Sequence, residues 1–236
     1  MGLGSPLGEP HVRVLLGVTG SVAAVKTPDL VRQLLTLGCE VKVAATGPAL
    51  CFFDSGLLPP GDPRGATDAL TVDPLWVRGQ NRYYVDQDEW PQGRRFQVGE
   101  PVLHIELRRW ADLLLIAPLD ANTLGKLALG LCDNLLTCVY RAWEPDRPVI
   151  LAPAMNTRMW EHPATARHLR QLGEDFGGDL PLLRDPLALC AAIADACPRL
   201  RVVPPQSKRL ACGDVGVGGM AAVEELATEV ARWRTA

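Results

Sequence analysis

The sequence has no apolar run approaching the roughly 18–20 residues that cross a bilayer. Its first residues, "MGLGSPLGEP", offer neither the basic segment nor the apolar core of a secretory signal, and Pro6 stands where a myristoylation signal has Ser or Thr. There is no excess of positive charge: the net charge is −3 and the pI near 5.8, so nothing in the balance points to nucleic acid or an anionic membrane. The local basic clusters "RGQNR", "GRR" and "ELRRW" read as solvated faces. Seven cysteines form no C-x-x-C pair and none lies near a histidine at metal-ligand spacing, which excludes a zinc site and a redox pair of that kind. Cys39, Cys51, Cys132 and Cys138 have apolar neighbours and are expected to be buried as small hydrophobes, in keeping with a reducing, cytoplasmic setting. Neither G-x-G-x-x-G nor the lysine of a P-loop occurs. The four histidines fall into no Ser-His-Asp spacing.

Buried-strand and amphipathic-helix patterns alternate instead. "VRVLLGV" at 12–18 is nearly continuous apolar sequence, as in a parallel strand covered on both faces. "TGS" follows, then "VAAVKTPDLVRQLLTLG" with helical periodicity and Gly38 placed to end the helix in a left-handed conformation. "EVKVAAT" at 40–46 is the next strand, "ADLLLIAP" at 111–118 another, then "RPVILAP". "PATARHLRQL" is a helix with Pro163 in its first turn, "RVVPP" a last strand and "AAVEELATEVARWR" a terminal helix. This β-turn-α-β opening predicts an α/β fold: a Rossmann-like (flavodoxin-like) doubly wound parallel sheet in three α/β/α layers. One domain over 1–236 is expected, with a flexible leader at 1–11 and irregular segments at 55–101 and 173–206.

In such a sheet ligands gather beyond the carboxyl ends of the strands. "GVTGSVAA" closes the first strand with a small-residue turn that opens a helix, where unpaired N–H groups and the helix dipole suit a phosphate; Ser21 adds a hydroxyl. The second strand ends at Thr46, the "DLLLIA" strand at "PLDANT", which brings Asp120, Asn122 and Thr123, and the "PVILA" strand at "PAMNTRMW". Singly, each is an ordinary helix cap; together they outline a cleft for a flat, phosphorylated ligand. His104, inside the strand-like run "PVLHIEL", reads on its own as a core histidine.

Four blocks, "GVTGSVAAVKTPDLV", "HIELRRWADLLLIAPLDANTLGKLALGLCDNLLTCVYRAW", "PAMNTRMWEHPAT" and "LACGDVGVGGMA", resemble in order and over about two-thirds of the chain the phosphopantothenoylcysteine decarboxylases, a branch of the homo-oligomeric FMN-containing cysteine decarboxylases. The resemblance implies a homotrimer with FMN at subunit interfaces. It also implies decarboxylation of 4′-phospho-N-pantothenoylcysteine to 4′-phosphopantetheine in coenzyme A biosynthesis: oxidation of the thiol to a thioaldehyde, loss of CO2, and re-reduction of the ene-thiol. Carried onto this sequence, His104 resembles the catalytic histidine, Asn156 the substrate-clamping amide, and Cys212 the proton donor on a substrate-covering flap. Gly20, Ser21, Val22, Thr46, Ala121, Asn122, Thr123 and Leu124 take the positions of FMN contacts. Met155, Lys208, Arg209 and Ala211 join Asn156 on the substrate, with Met155 and Met159 as apolar walls and Trp160 as packing support. Asp120 stands where many relatives have Ser, and Gly219 where Ala is usual. Two rival readings are a non-catalytic relative that regulates a protein phosphatase and a decarboxylase of peptidyl cysteine. The presence of His104, Asn156 and Cys212 and the lack of an acidic tail favour the coenzyme A branch.

Overall fold

The apolar runs and a Tyr-Tyr pair form six parallel strands in a computed structural model that describes residues 12–53, 83–93, 95–209 and 215–233. The strands are β1 (Arg13–Val18), β2 (Glu40–Ala45), β3 (Tyr83–Tyr84), β4 (Leu113–Leu119), β5 (Val149–Pro153) and β6 (Leu200–Val202). Their order is β3-β2-β1-β4-β5-β6. All pairs are parallel, and β1 lies between β2 and β4. Every residue of β4 and β5 is buried, the pattern expected of strands covered on both faces.

Two apolar clusters fill the space above and below the sheet. One joins Val14, Leu16 and Val43 to Leu30, Val31 and Leu34 of α1 (Thr27–Thr36) and to Leu226 and Val230 of α9 (Val223–Arg232). The other joins Leu114, Ile116 and Leu151 to α3 (Leu103–Trp110), α4 (Ala121–Leu129), α5 (Leu135–Arg141), α7 (Pro163–Asp175) and α8 (Pro186–Ala196). This is the three-layer, doubly wound arrangement expected. Gly38 has the left-handed backbone anticipated for it, with φ +78°.

Four expectations need correction. His104 is not on a strand. The alternation in "PVLHIEL" mimics a period of two, but Leu103 and Leu107 four residues apart place one face of α3 on the core, and Arg109 pairs with Glu106 at 3.0 Å. Residues 173–206, expected to be irregular apart from the strand at "RVVPP", hold α8 as well as that strand, β6. Asp185 caps α8 by accepting from the Leu187 N–H at 3.0 Å, and Pro186 occupies the first turn. Within 55–101, β3 extends the sheet and α2 (Asp86–Glu89) follows it; residues 54–82 lie outside the described residues, as does the leader at 1–11. Of the cysteines expected to be buried, Cys39 is, Cys138 is half-buried, and Cys51 and Cys132 are exposed.

Candidate active site

The strand order reverses direction between β1 and β4, and that is where a doubly wound sheet opens a crevice at its carboxyl edge. The crevice is built around Thr19. Its hydroxyl donates to the Pro118 carbonyl at 2.8 Å and accepts the Asp120 N–H at 2.7 Å, so the ends of β1 and β4 are tied side by side. The Ala117–Pro118 peptide just before is cis. Gly20 follows, and a Cβ there would come within 2.7 Å of Pro48 Cβ and 3.2 Å of Asp120 Oδ2. Three strand ends therefore converge on a residue that has no room for a side chain.

Around this point, Ser21 caps the 3-10 turn Val22–Lys26. Asp120 caps α4, its Oδ1 accepting from Thr123 N–H at 2.6 Å. Leu124 N–H goes to the Asp120 carbonyl at 2.9 Å and its side chain is in the core, so among the described residues Ala121 and Asn122 supply the open amides of that turn. Thr46, at the end of β2, is buried, and its Oγ1 has no hydrogen-bond partner among the described residues. Buried hydroxyls are normally satisfied, and this one is open to a partner from outside the described residues. Val22 and Val25, in the turn that follows Gly20 and Ser21, present apolar side chains to solvent, 46% and 55% exposed.

Asn156 lies beyond β5 at the same edge. It caps the one-turn helix α6 (Thr157–Trp160), its Oδ1 accepting the Arg158 N–H at 2.8 Å. An antiparallel hairpin, β7 (Gln206–Arg209) and β8 (Val215–Gly219), is seated on this segment. Met155 N–H donates to the Gly218 carbonyl at 2.9 Å. Gly218 has φ +157°, and a Cβ on it would run into the Met155 carbonyl; one on Gly216 would reach Thr157 Oγ1 at 2.5 Å. The glycine spacing "VGVGG" is what lets β8 lie backbone-to-backbone on "MNT". The hairpin's tip, with Cys212 and Ala211, lies outside the described residues, and only the backbone of Arg209 is described. Met155 and Met159, expected side by side, part company. Met155 belongs to the core cluster, whereas Met159 is 49% exposed; Trp160 is buried as packing support.

On the hairpin, Lys208 Nζ donates to the Met220 carbonyl at 3.1 Å, and its stem fills the space that a Cβ on Gly219 would need. Burial first, then the neighbouring Lys26 ammonium, lowers the Lys208 pKa from its ordinary value. Two ammoniums brought together in this way favour an anion between or beside them. Lys26 was not singled out from sequence, where it reads as one more charge at the end of a helix.

His104 stands at the start of α3. The end of that helix is fixed low on the sheet, where Asp112 N–H donates to the Arg13 carbonyl at 2.8 Å at the start of β1. Eight residues at about 1.5 Å each put the helix start about 12 Å of helix away from that end of the sheet. There the ring Nδ1 meets Glu89 Oε1 at 2.8 Å, and the His104 backbone N–H donates to Glu89 Oε2 at 2.9 Å. Glu89 is 6% exposed and His104 24%. Glu89 was missed because the stretch around it reads as a polar loop.

A doubly wound α/β sheet with a side-chain-free cradle at its switch point, and an unpartnered buried hydroxyl at the end of the next strand, has the architecture of nucleotide-cofactor-binding proteins. The chain belongs to the Flavoprotein family, whose model matches residues 5–235. It is 45% identical over 226 residues to the phosphopantothenoylcysteine decarboxylase of Mus musculus, covering 95% of this chain and 88% of that protein. It is 44% identical over 209 residues to the Arabidopsis thaliana protein of the same name, covering 89% and 78%. Among solved structures, it resembles a mutant PPC decarboxylase complexed with pantothenoylaminoethenethiol, with TM-score 0.73 at 40% identity over 96% of this chain and 100% of that one. It also resembles the FMN binding protein AtHal3, with TM-score 0.70 at 41% identity over 95% and 97%.

Proposed function

We propose that this chain is an FMN-dependent phosphopantothenoylcysteine decarboxylase, converting 4′-phospho-N-pantothenoylcysteine to 4′-phosphopantetheine on the route to coenzyme A. The observation that carries the reading is the switch-point cradle, where Gly20 has no room for a side chain against Pro48 and the Asp120 that caps α4, with the unpartnered Thr46 hydroxyl at the end of the adjoining β2. It occurs in a chain that matches such decarboxylases over most of its length.

The residues present fit the cofactor. The absent side chain at Gly20 and the open amides at Ala121 and Asn122 suit an anionic, planar group, and Thr46 Oγ1 lacks the partner that a phosphate or ring oxygen would supply. Gly20, Ser21, Val22, Thr46, Ala121, Asn122 and Thr123 would hold FMN, with Leu124 contributing as core beneath them. FMN, when bound, would take two electrons from the cysteine thiol, so that the resulting C=S group can accept the electron pair left by CO2, and would return two electrons to the ene-thiol afterwards.

The chain's own side chains then have distinct tasks. His104 Nε2, on the ring edge away from Glu89, holds the thiol proton of the substrate. Asn156 gives its Nδ2 hydrogens to the departing carboxylate while its Oδ1 stays on the Arg158 N–H, so the same amide is oriented by the helix it caps. Lys208, with Arg209 and Ala211, meets the far, phosphorylated end, beside Lys26. Cys212 Sγ returns a proton to the substrate carbon that CO2 leaves. A homotrimer in the cytoplasm is the assembly in this reading. The exposed Val22 and Val25 beside the cradle are apolar surface that a second copy would cover, placing the cofactor at a subunit boundary.

The purified protein should be yellow, with flavin absorbance near about 370 and 450 nm. It should release CO2 from phosphopantothenoylcysteine. The Cys212→Ser variant should oxidise the substrate and stall before product. A preparation that stays colourless after FMN is added, or that binds FMN and a phosphatase but leaves the substrate intact, would overturn the assignment.

A further inference from the structure

Glu89 lies in "VDQDEW", within the segment that reads from sequence as irregular surface, yet each carboxylate of this short helix has a distinct partner. Asp86 Oδ1 accepts the Leu135 N–H at 2.9 Å, pinning α2 to the first turn of α5. Asp88 Oδ2 folds back on the Val85 N–H at 2.8 Å and closes the helix start. Glu89, the most buried, gives one oxygen to the His104 backbone and the other to its ring. Glu89 also acts on the Cys138 thiol, which is pushed up to about 11 by burial first and then by the charges of its neighbours, Glu89 among them.

We infer that Glu89 is a positioning residue for the decarboxylation, fixing His104 in the tautomer that carries hydrogen on Nδ1 and presents Nε2 as a lone pair. This rests on the reading of His104 as the residue that takes the thiol proton. A carboxylate can only accept, so the ring nitrogen facing it must be the one bearing hydrogen when the imidazole is neutral. The second oxygen, held by the backbone N–H, stops the carboxylate from rotating, and the ring plane is set with it. When His104 gains a proton, the buried carboxylate stabilises the resulting imidazolium without moving.

The substitution Glu89→Gln separates this role from mere packing. The backbone N–H of His104 needs an acceptor, so the Gln carbonyl takes the Oε2 position and the amide nitrogen faces the ring. The amide donates to Nδ1, and the hydrogen moves to Nε2, leaving no base toward the substrate. In flavin-loaded protein labelled with ¹⁵N-histidine, His104, assigned by its loss in His104→Gln, should show a protonated Nδ1 in the wild type and a protonated Nε2 in Glu89→Gln. The variant's kcat should fall by about 10²–10⁴-fold, as for wrong-tautomer variants elsewhere. KM, flavin content and melting temperature should stay close to wild type. Glu89→Asp, which keeps an acceptor-only group, should retain the Nδ1–H tautomer and recover part of kcat. A wild-type His104 protonated on Nε2, or a Glu89→Gln enzyme with undiminished kcat beside an inactive His104→Gln, would overturn the role of Glu89. Undiminished activity in His104→Gln would instead remove the reading of His104 on which it rests.

Discussion

Thr19 Oγ1 and the Asp120 backbone N–H, 2.7 Å apart, join the ends of two strands that are 101 residues apart in sequence. The same hydroxyl donates to the Pro118 carbonyl, so one buried oxygen fixes the width of the crevice. Thr19→Val keeps the shape and removes both bonds, leaving a part-buried N–H without its acceptor. The loss should be about 1–3 kcal/mol, or roughly 2–4 °C of melting temperature per kcal/mol for a chain of this size. FMN affinity should fall with it, because the turn carrying Ala121 and Asn122 is no longer held to β1. Thr19→Ser, which retains the hydroxyl, should keep most of both. Calorimetry and flavin titration of the two variants decide the matter; equal behaviour of Val and Ser would show that the hydroxyl sets nothing.

Gly20→Ala tests the cradle directly. The new methyl would sit 2.7 Å from Pro48 Cβ, an atom on a ring that cannot rotate away. The β1 and β2 ends must then separate, at about 1–3 kcal/mol for overpacking of this kind. The protein should still fold and should purify with little or no flavin colour. Full flavin occupancy in this variant would place the cofactor away from the β1 turn.

The architecture was legible in the sequence because strands buried on both faces announce themselves: "VRVLLGV" and "ADLLLIAP" have few polar residues to disguise them. The positions of the polar strand ends were legible for a related reason, since polar residues that follow such runs can only lie at the sheet's edge, as Thr46, Asp120 and Asn156 do. What failed was local period and polarity. His104 was assigned to a strand because two leucines four residues apart also fit an alternation when an isoleucine falls between them. Glu89 passed as loop because a four-residue acidic helix has no periodicity to detect, and its value comes from a partner 15 residues away. Thr19, which ties the cleft together, looked like one more residue of a βα turn, because its partner is distant in sequence. Lys26 and Lys208 are neighbours only once β8 is laid on the segment after β5.

Asn156 caps α6 through Oδ1, and Asp is an equally good residue at a helix start. Asn156→Asp should therefore leave fold, melting temperature and flavin content unchanged. It removes the two N–H donors and puts a negative charge where the proposed function places the substrate carboxylate. Turnover should drop by at least about 100-fold, the scale for losing one oriented donor at a reacting group, with weakened substrate binding as well. Steady-state CO2 release and substrate titration followed through the flavin spectrum would read both. A melting temperature that falls along with activity would make the amide's role structural.

The Arg13–Asp112 pair links the start of β1 to the residue before β4, at the edge of the sheet opposite the cleft, and its effect should appear as a pH dependence of stability alone. Asp112 accepts from Arg13 Nε at 3.1 Å, from its terminal nitrogen at 2.7 Å and from its backbone N–H at 2.9 Å. Partial burial acts to raise the Asp112 pKa, but the Arg13 hydrogen bonds and charge outweigh it, and the folded-state value lies below the ordinary one. A carboxyl whose pKa is depressed on folding stabilises the protein fully above its unfolded pKa of about 4 and ceases to do so as the pH falls through the folded value. Asp112→Asn removes that dependence while keeping one acceptor. The wild type should exceed the variant in urea midpoint at about pH 6, and the gap should narrow as the pH is lowered below about 4. Flavin content and CO2 release at neutral pH should be the same in both, since the pair is remote from the crevice. A gap that stays constant across this range would mean that Asp112 titrates alike in the folded and unfolded chain, and that its bonds to Arg13 contribute through packing rather than charge.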